Sequence, residues 1–285
     1  MLKYSSDKVA EIICLYLLKL TKKNKKMNFT ELEQKINENK SIDFGDIFSK
    51  SIELFKKTWQ QGLVHMLLSI GLVLGVMALV FVPMFLTGVI DPSAFQSLES
   101  GDPDFRGIII FYIILFPVIF IASIFSMLLN MAFYRIIKQI DLGEPASNVS
   151  FGMFFKSEFF VKALVLSIIG FVISIVAMLA CYLPLFYVMI PLTLLIPIFS
   201  FNPEMSTSDL LKASFKLGTK KWLITFGLLL VSGILAELVG LILCGIGIFV
   251  TMSFVYLPTY FVYKDTVGFD DDSNNSQEIE RITEE

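Results

Sequence analysis

The stretch that decides the fold runs from residue 163 to residue 202 and reads ALVLSIIGFVISIVAMLACYLPLFYVMIPLTLLIPIFSFN. None of these 40 residues carries a charge. A helix needs about 20 residues to cross a hydrocarbon core about 30 Å thick, so the stretch is long enough to cross twice. Pro184 lies near its midpoint, where proline disfavours a continuous helix. The stretch therefore predicts a helical hairpin of two membrane spans.

Three other charge-poor stretches extend this pattern along the chain. Leu63–Ile90 and Gly107–Tyr134 contain no residue charged at neutral pH, and each is long enough for one span. Trp222–Tyr263 has 42 residues with one charge, Glu237, and its central Cys244-Gly245-Ile246-Gly247 favours a turn. The sequence thus predicts an all-α integral membrane protein with six transmembrane helices, at about residues 63–90, 107–136, 160–182, 184–202, 221–243 and 247–264.

Composition excludes most soluble classes of protein. Hydrophobic residues make up 55% of the 285 residues, and charged residues make up 17%, against roughly 25% in soluble domains. The mean hydropathy is +0.73. A soluble chain of this length could not bury so much apolar surface. We therefore expect neither a soluble enzyme nor a nucleic-acid binder, and the lipid bilayer is the first expected partner.

The sequence also lacks the residue groupings that catalysis and metal binding need. Its three cysteines are far apart and fit neither a disulfide framework nor a metal-ligand spacing. It contains no glycine-rich phosphate loop, no nucleophile beside a base and no carboxylate pair. The expectation is a non-enzymatic protein without a catalytic site, a cofactor or a bound metal.

Basic residues lie almost entirely on one side of the predicted spans. Of the 23 lysines and arginines, 22 fall before the first span, in the second and fourth connections or after the last span. Arg106 falls on the other side, in the acidic loop 91–106. Because positively charged loops stay in the cytoplasm, both termini are predicted to be cytoplasmic. The expected location is a bacterial cytoplasmic (inner) membrane.

The predicted spans divide the chain into three parts. Residues 1–41 form a cytoplasmic N-terminal segment, and residues 42–264 form the membrane domain. Residues 265–285 are acidic with almost no apolar side chain, which predicts a disordered tail, with a partner-binding tail as the alternative. Residues 1–26 fit a signal peptide, an interfacial helix or translated upstream sequence. The signal peptide is disfavoured because lysines, and not a cleavage site, follow the apolar run. Met27 is the predicted initiator.

A repeated segment precedes the first and fifth spans. Residues 48–59, FSKSIELFKKTW, align with residues 211–222, LKASFKLGTKKW, and each follows an N-cap signal. Apolar and basic side chains separate at helical spacing, which predicts amphipathic helices on the inner leaflet with Trp59 and Trp222 at headgroup level. Residues 150–160 hold the same place before the third span. The six helices would then form three pseudo-repeat units, each led by an interfacial helix that either binds anionic lipid or simply orients the protein.

Several of these features resemble a group of bacterial six-helix inner-membrane proteins. The resemblance rests on NPEMSTSDLLKASFKLGTKKW at 202–222, LCGIG at 243–247 and Tyr256-Leu257-Pro258, and it covers roughly residues 42–264. The group includes the membrane domain of glycerophosphoryl diester phosphodiesterases, so the resemblance implies a six-helix architecture, while the catalytic domain of those enzymes is absent from the sequence. The abundance of Phe, Lys, Asn and Ile also resembles flavobacterial proteins labelled beta-carotene 15,15′-monooxygenase. Carotenoid oxygenases bind iron through four histidines, and this chain has one.

Two functions remain open for a non-enzymatic membrane protein. The first is a scaffold or accessory subunit with a membrane-protein partner, which is favoured because few polar side chains lie within the spans. The second is a small-molecule or lipid transporter that uses Glu237 and the proline-rich fourth span, since a broken helix can line a substrate site. A kinked packing helix is the structural alternative for that span.

Glu237 is the candidate intramembrane functional site. It follows Trp222 by 15 residues, or about 22 Å of helix. A carboxylate in the hydrocarbon core costs about 2–3 kcal/mol. We therefore expect it to face the bundle or a water-filled cleft beside Ser232, Gly233 and Gly240. It would act there as a proton or cation site, or lie protonated near the outer surface.

Weaker signals concern helix packing. His65 lies about one turn inside the first span, where hydrogen bonding is expected because a lone histidine cannot build a metal site. Asn130, near the inner end of the second span, is expected to link helices. The glycines expected to allow close approach of helices are Gly71, Gly75, Gly227 and Gly233.

Overall fold

The computed structural model describes residues 27–86, 105–144, 149–243, 245 and 247–269, with side chains described from residue 109 in the second range. Every regular element in these ranges is helical, which confirms the all-α class. The described helices are α1 Phe29–Glu38, α2 Phe44–Leu86, α3 Phe105–Asp141, α4 Ser157–Leu179, α5 Leu183–Phe201, α6 Thr207–Lys220, α7 Trp222–Ile242, α8 Ile248–Thr251 and α9 Tyr256–Val267, with a 3₁₀ turn at Met252–Val255. The predictions for residues 1–26 and for the loop 91–104 lie outside the described residues.

Five helices are long and apolar enough to cross a membrane, namely α2, α3, α4, α5 and α7. The sixth predicted span, 247–264, is divided into α8, the 3₁₀ turn and α9. Pro258 accounts for the division, because it has no N–H to donate to the carbonyl of Phe254. The backbone before it therefore forms the tighter 3₁₀ turn. Residues 257–263 are all buried, so this last segment lies inside the bundle.

The first predicted leading helix is not a separate element. α2 continues without a break through residues 48–59 and spans 43 residues, or about 65 Å. No glycine or proline lies between residues 46 and 61 to stop it. The prediction of an interfacial helix that ends before the span is therefore wrong here. Trp59, expected on its apolar side, is 41% exposed, because the buried face is centred on Ser51, Leu54 and Thr58.

α6 is a separate leading helix, as predicted, and it ends at Lys220. Its buried face, which includes Leu210, Ala213 and Leu217, packs mainly on α5. Contact of α6 with the inner leaflet stays a prediction. A Cβ atom on Gly218 would lie 2.7 Å from Pro191 Cα, so the two backbones touch and only glycine fits. The third predicted leading helix is wrong as well, because residues 151–154 form turns and α4 begins at Ser157.

Both predicted N-caps are present. Asp43 Oδ1 accepts a hydrogen bond from the Asp46 amide at 2.9 Å, and Ser206 Oγ accepts one from the Asp209 amide at 3.1 Å. Each bond satisfies a backbone donor that the first helical turn leaves without a partner. Each of these helix starts depends on two residues that are three positions apart, so the sequence alone predicts it.

α1 packs against α6 and α9 at the same end of the bundle, with Leu32 and Ile36 fully buried. Lys220 Nζ donates to the carbonyl of Ile36 at 3.2 Å, at the C-terminal end of α1. Lys221 Nζ donates to the carbonyl of Lys40 at 2.5 Å, and burial, with the charge of Lys220, lowers the pKa of Lys221. Residues 27–40 are thus held to the helical bundle.

Helix α9 continues past the predicted end of the membrane domain at residue 264. It ends at Val267, and Phe269 is 4% exposed. The ammonium of Lys138 lies 4.2 Å from the centre of the Phe269 ring, within the range of a cation–π contact. The boundary predicted at residue 265 is therefore several residues early, and the tail beyond Phe269 lies outside the described residues.

Buried side chains are concentrated at the end of the bundle where α3 ends. From Leu128 to Ile137, all residues but Asn130 and Arg135 are buried. In α2 no residue beyond His65 is buried, and Leu79 is 78% exposed. The first half of α3 and the second half of α2 therefore project beyond the core with apolar side chains outward, as membrane-crossing helices do.

Candidate functional site

Glu237 is exposed on the outside of α7. The inner face of this helix is formed by Ser232, Ala236 and Gly240, which are buried at four-residue spacing. Successive side chains of a helix are rotated by about 100°. Glu237 follows Ala236 directly, so its side chain points away from the bundle. The expectation that it faces the bundle or a cleft is therefore wrong.

The two tryptophans have different surroundings. Trp222 stacks on Phe226 with ring centres 5.0 Å apart, and its Nε1 donates to the carbonyl of Tyr187 at 3.1 Å. It therefore fixes the start of α7 against α5. Trp59 is partly exposed on α2. Their position at headgroup level stays a prediction.

His65 and Asn130 form a polar contact between α2 and α3. His65 Nε2 lies 2.9 Å from Asn130 Oδ1, and His65 is 2% exposed. The imidazole stacks on Phe133 with ring centres 4.6 Å apart and meets the edge of Tyr256 at 5.3 Å. The predicted helix-linking role of Asn130 and the hydrogen-bonded role of His65 are confirmed. The packed rings hold the imidazole, and through it the amide, in one orientation.

Further polar contacts tie the end of α3 to its neighbours. Arg135 Nε donates to the carbonyl of Ser200 at 2.8 Å, and Ser200 Oγ donates to the carbonyl of Met131 at 2.7 Å. Asp141 accepts hydrogen bonds from Tyr260 Oη and Lys264 Nζ, both at 2.6 Å. These groups satisfy one another and form a polar network that ties α3 to α5 and α9 at this end of the bundle.

An open cleft of about 620 Å³ lies next to this network. α3 forms its floor, α2 forms one wall, and α4 and α5 form the other. In the described part of the chain α2 lies against neither α4 nor α5, which leaves the space between them. The volume falls within the range of about 300–1,000 Å³ typical of small-molecule sites.

The cleft has apolar walls and a few polar groups along its floor. Val73 and Met77 line the wall on α2, and Leu192 and Ile196 contribute to the opposite wall. Polar side chains reach it at four positions, three of them on α3: Ser123, Ser126, Asn130 and Ser167. No charged side chain is among the described residues that line it. The arrangement suits a mainly apolar molecule with a small neutral polar part.

The polar groups differ in how far they are already satisfied. Ser123 Oγ donates to the carbonyl of Phe120 at 2.7 Å, and Ser167 Oγ contacts Met127 Sδ at 3.8 Å. Asn130 uses Oδ1 for His65, and among the described residues its Nδ2 has no hydrogen-bond partner. Asn130 Nδ2 is thus a donor available at one end of the cleft.

Sequence reasoning missed the cleft because it forms between helices far apart in the chain. One signal was present: Ser123, Ser126 and Asn130 recur at spacings of three and four, so they share one face of an otherwise apolar helix. The three prolines of the fourth span were the signal that the sequence analysis associated with a substrate site. Pro191 packs against Gly218 outside the cleft lining, so it acts in packing.

Three of the four glycine expectations also differ from the structure. Cβ atoms added at Gly71, Gly75 or Gly233 would meet nothing within 4 Å, so these residues allow no close helix contact within the chain. Backbones do come close at Gly218, against Pro191, and at Gly240, against Ile248. Which glycine meets a neighbour depends on helix rotation, which spacing alone does not set.

The described residues contain no group of three or more His, Cys, Asp or Glu side chains placed to hold a metal ion. No protein-family model matches the chain, and no curated protein and no solved structure matches it. The fold and the apolar helices define an all-helical, multi-pass membrane protein.

Proposed function

We propose that the chain crosses a bacterial cytoplasmic membrane six times with both termini inside. The support is the placement of 22 of its 23 basic residues on one side. The sixth crossing is the path from α8 to α9, whose 20 residues cover about 30 Å. The crossings form three pairs: α2 with α3, α4 with α5, and α7 with α8–α9.

A topology reporter tests this arrangement. A periplasm-active reporter fused after Lys264 should be silent, and one inserted near Ser97 should be active. Activity at Lys264, or silence near Ser97, would overturn the orientation.

The proposed activity is non-enzymatic binding of a lipid-like amphipathic molecule, in agreement with the transporter hypothesis. The single observation that carries it is the cleft between α2 and α4/α5, with apolar walls and an available donor on Asn130. Its mouth is lined by exposed side chains, including Ile119 and Phe171, which are 51% and 46% exposed. A molecule could enter sideways from the bilayer without crossing water.

Native mass spectrometry of the purified protein tests lipid binding. The unaltered protein should retain one bound lipid after delipidation and re-addition of a bacterial phospholipid extract. Ser167→Leu places a larger apolar side chain in the cleft, narrows it between α3 and α4, and should reduce this bound fraction at least severalfold. Ser174→Leu is the matched control, because Ser174 lies two helical turns further along α4 and outside the cleft lining. Equal lipid retention by both variants would refute a site in the cleft.

The accessory-subunit hypothesis stays a prediction with its own test. A native-detergent pull-down followed by mass spectrometry should recover a membrane-protein partner if the chain acts as a subunit. The same pull-down with Ser167→Leu then shows whether binding of the partner requires the cleft. Recovery of the protein alone would leave lipid binding as its activity.

A further inference from the structure

We propose that the cleft holds one ester-linked acyl chain and that Asn130 Nδ2 donates a hydrogen bond to the ester carbonyl. This inference deepens the proposed lipid binding and rests on it. It names the class of ligand as a glycerolipid with an ester linkage, and the position of its carbonyl as the Asn130 end of the cleft.

The length of the cleft fits one acyl chain. Along α3 the lining runs from Ile119 to Asn130, which are 11 residues or about 17 Å apart. Half of a hydrocarbon core about 30 Å thick is about 15 Å, the depth that one leaflet's chains fill. An apolar trough of this length, aligned with a membrane-crossing helix, therefore matches a chain lying in its usual direction.

The polar end of the cleft lies where an ester carbonyl would be. Asn130 precedes Arg135 by five residues, and α3 ends with basic side chains that the proposed topology places at the inner surface. Acyl esters lie at the boundary between the hydrocarbon and the headgroups. A lipid whose acyl tail ends near Ile119 would therefore have its ester near Asn130. The molecule would come from the inner leaflet.

The chemistry at this end favours a neutral acceptor. Asn130 Oδ1 is used by His65, whose ring is held by Phe133 and Tyr256, so the amide presents Nδ2 to the cleft. A donor without a partner in an apolar site costs free energy, and an ester carbonyl supplies an acceptor. No charged side chain among the described lining residues is placed to bind a phosphate or a carboxylate directly. The carbonyl is then the part of the lipid that Asn130 recognises.

Competition between two probes tests this inference. The probes are an ester-linked lysophosphatidylglycerol and its ether-linked analogue of equal chain length, which differ in the carbonyl. We expect the unaltered protein to prefer the ester about three- to tenfold, as one net hydrogen bond predicts. Native mass spectrometry of the protein with both probes present measures the ratio directly.

Asn130→Asp removes the donor and keeps an oxygen for His65. In this variant the preference for the ester should fall to one or below, with the ether probe still bound. Ser174→Leu should keep the preference of the unaltered protein. Ser167→Leu should weaken the binding of both probes by the same factor, which separates a narrowed cleft from a lost donor.

The outcomes distinguish the two proposals. Equal binding of ester and ether by the unaltered protein overturns the role of Asn130 but leaves lipid binding intact. Binding of neither probe overturns lipid binding itself. If Asn130→Asp fails to accumulate, the ester-to-ether ratio of the unaltered protein still decides whether a carbonyl is recognised. A preference that survives in Asn130→Asp also refutes the inference.

Discussion

Replacing Gly218 by alanine tests the contact between α5 and α6. The added Cβ atom would lie 2.7 Å from Cα and 2.8 Å from the backbone nitrogen of Pro191, and backbone atoms cannot move aside as a flexible side chain can. Overpacking of this kind costs about 1–3 kcal/mol. We therefore expect Gly218→Ala to lower the free energy of unfolding.

Gly71→Ala is the matched control for this substitution. Gly71 also lies within a helix, but a Cβ atom added there would meet nothing within 4 Å. Both changes gain a similar helix propensity, up to about 1 kcal/mol, so this contribution cancels in the comparison. The difference between the two variants should then equal the overpacking cost, about 1–3 kcal/mol.

Equilibrium unfolding by SDS in mixed micelles measures the difference, with helix content followed by circular dichroism. Gly218→Ala should unfold at a lower SDS fraction than Gly71→Ala. Pro191 precedes Leu192, which lines the cleft, so Gly218→Ala should also reduce lipid retention. If Gly218→Ala is as stable as Gly71→Ala, the close packing of α6 on α5 is wrong.

Three further predictions concern other parts of the chain. Glu237→Gln should leave unfolding stability and lipid retention unchanged from pH 5 to pH 8, because Glu237 is exposed outside the bundle. A pH-dependent loss of either property would show that ionisation of Glu237 matters. His65→Leu should cost about 1–3 kcal/mol in SDS unfolding, because it leaves Asn130 Oδ1 without its partner. Loss of residues 1–26 should leave accumulation in the membrane unchanged. Loss of residues 1–40 should lower it, because Leu32 and Ile36 are buried. Quantitative immunoblotting of membranes compares the two truncated proteins.

The sequence determined the features that depend on residues close together in the chain. Four charge-poor stretches were enough for the helical membrane class, because crossing a bilayer requires about 20 apolar residues in a row. The caps at Asp43 and Ser206 followed from an acceptor three residues before an amide. The break between α6 and α7 was likewise placed from a local pattern, the repeated segment that ends at Trp222.

The tertiary structure decided everything that depends on how a helix is rotated and what lies beside it. Hydropathy located Glu237 within a span but could not show that Ala236 faces the bundle and Glu237 faces away. The repeat of residues 48–59 and 211–222 predicted two leading helices, yet only the second is separate, with its apolar face against α5. The cleft exists because α2 and α4 approach α3 from different sides without meeting, and no local pattern fixes the distance between helices remote in the chain.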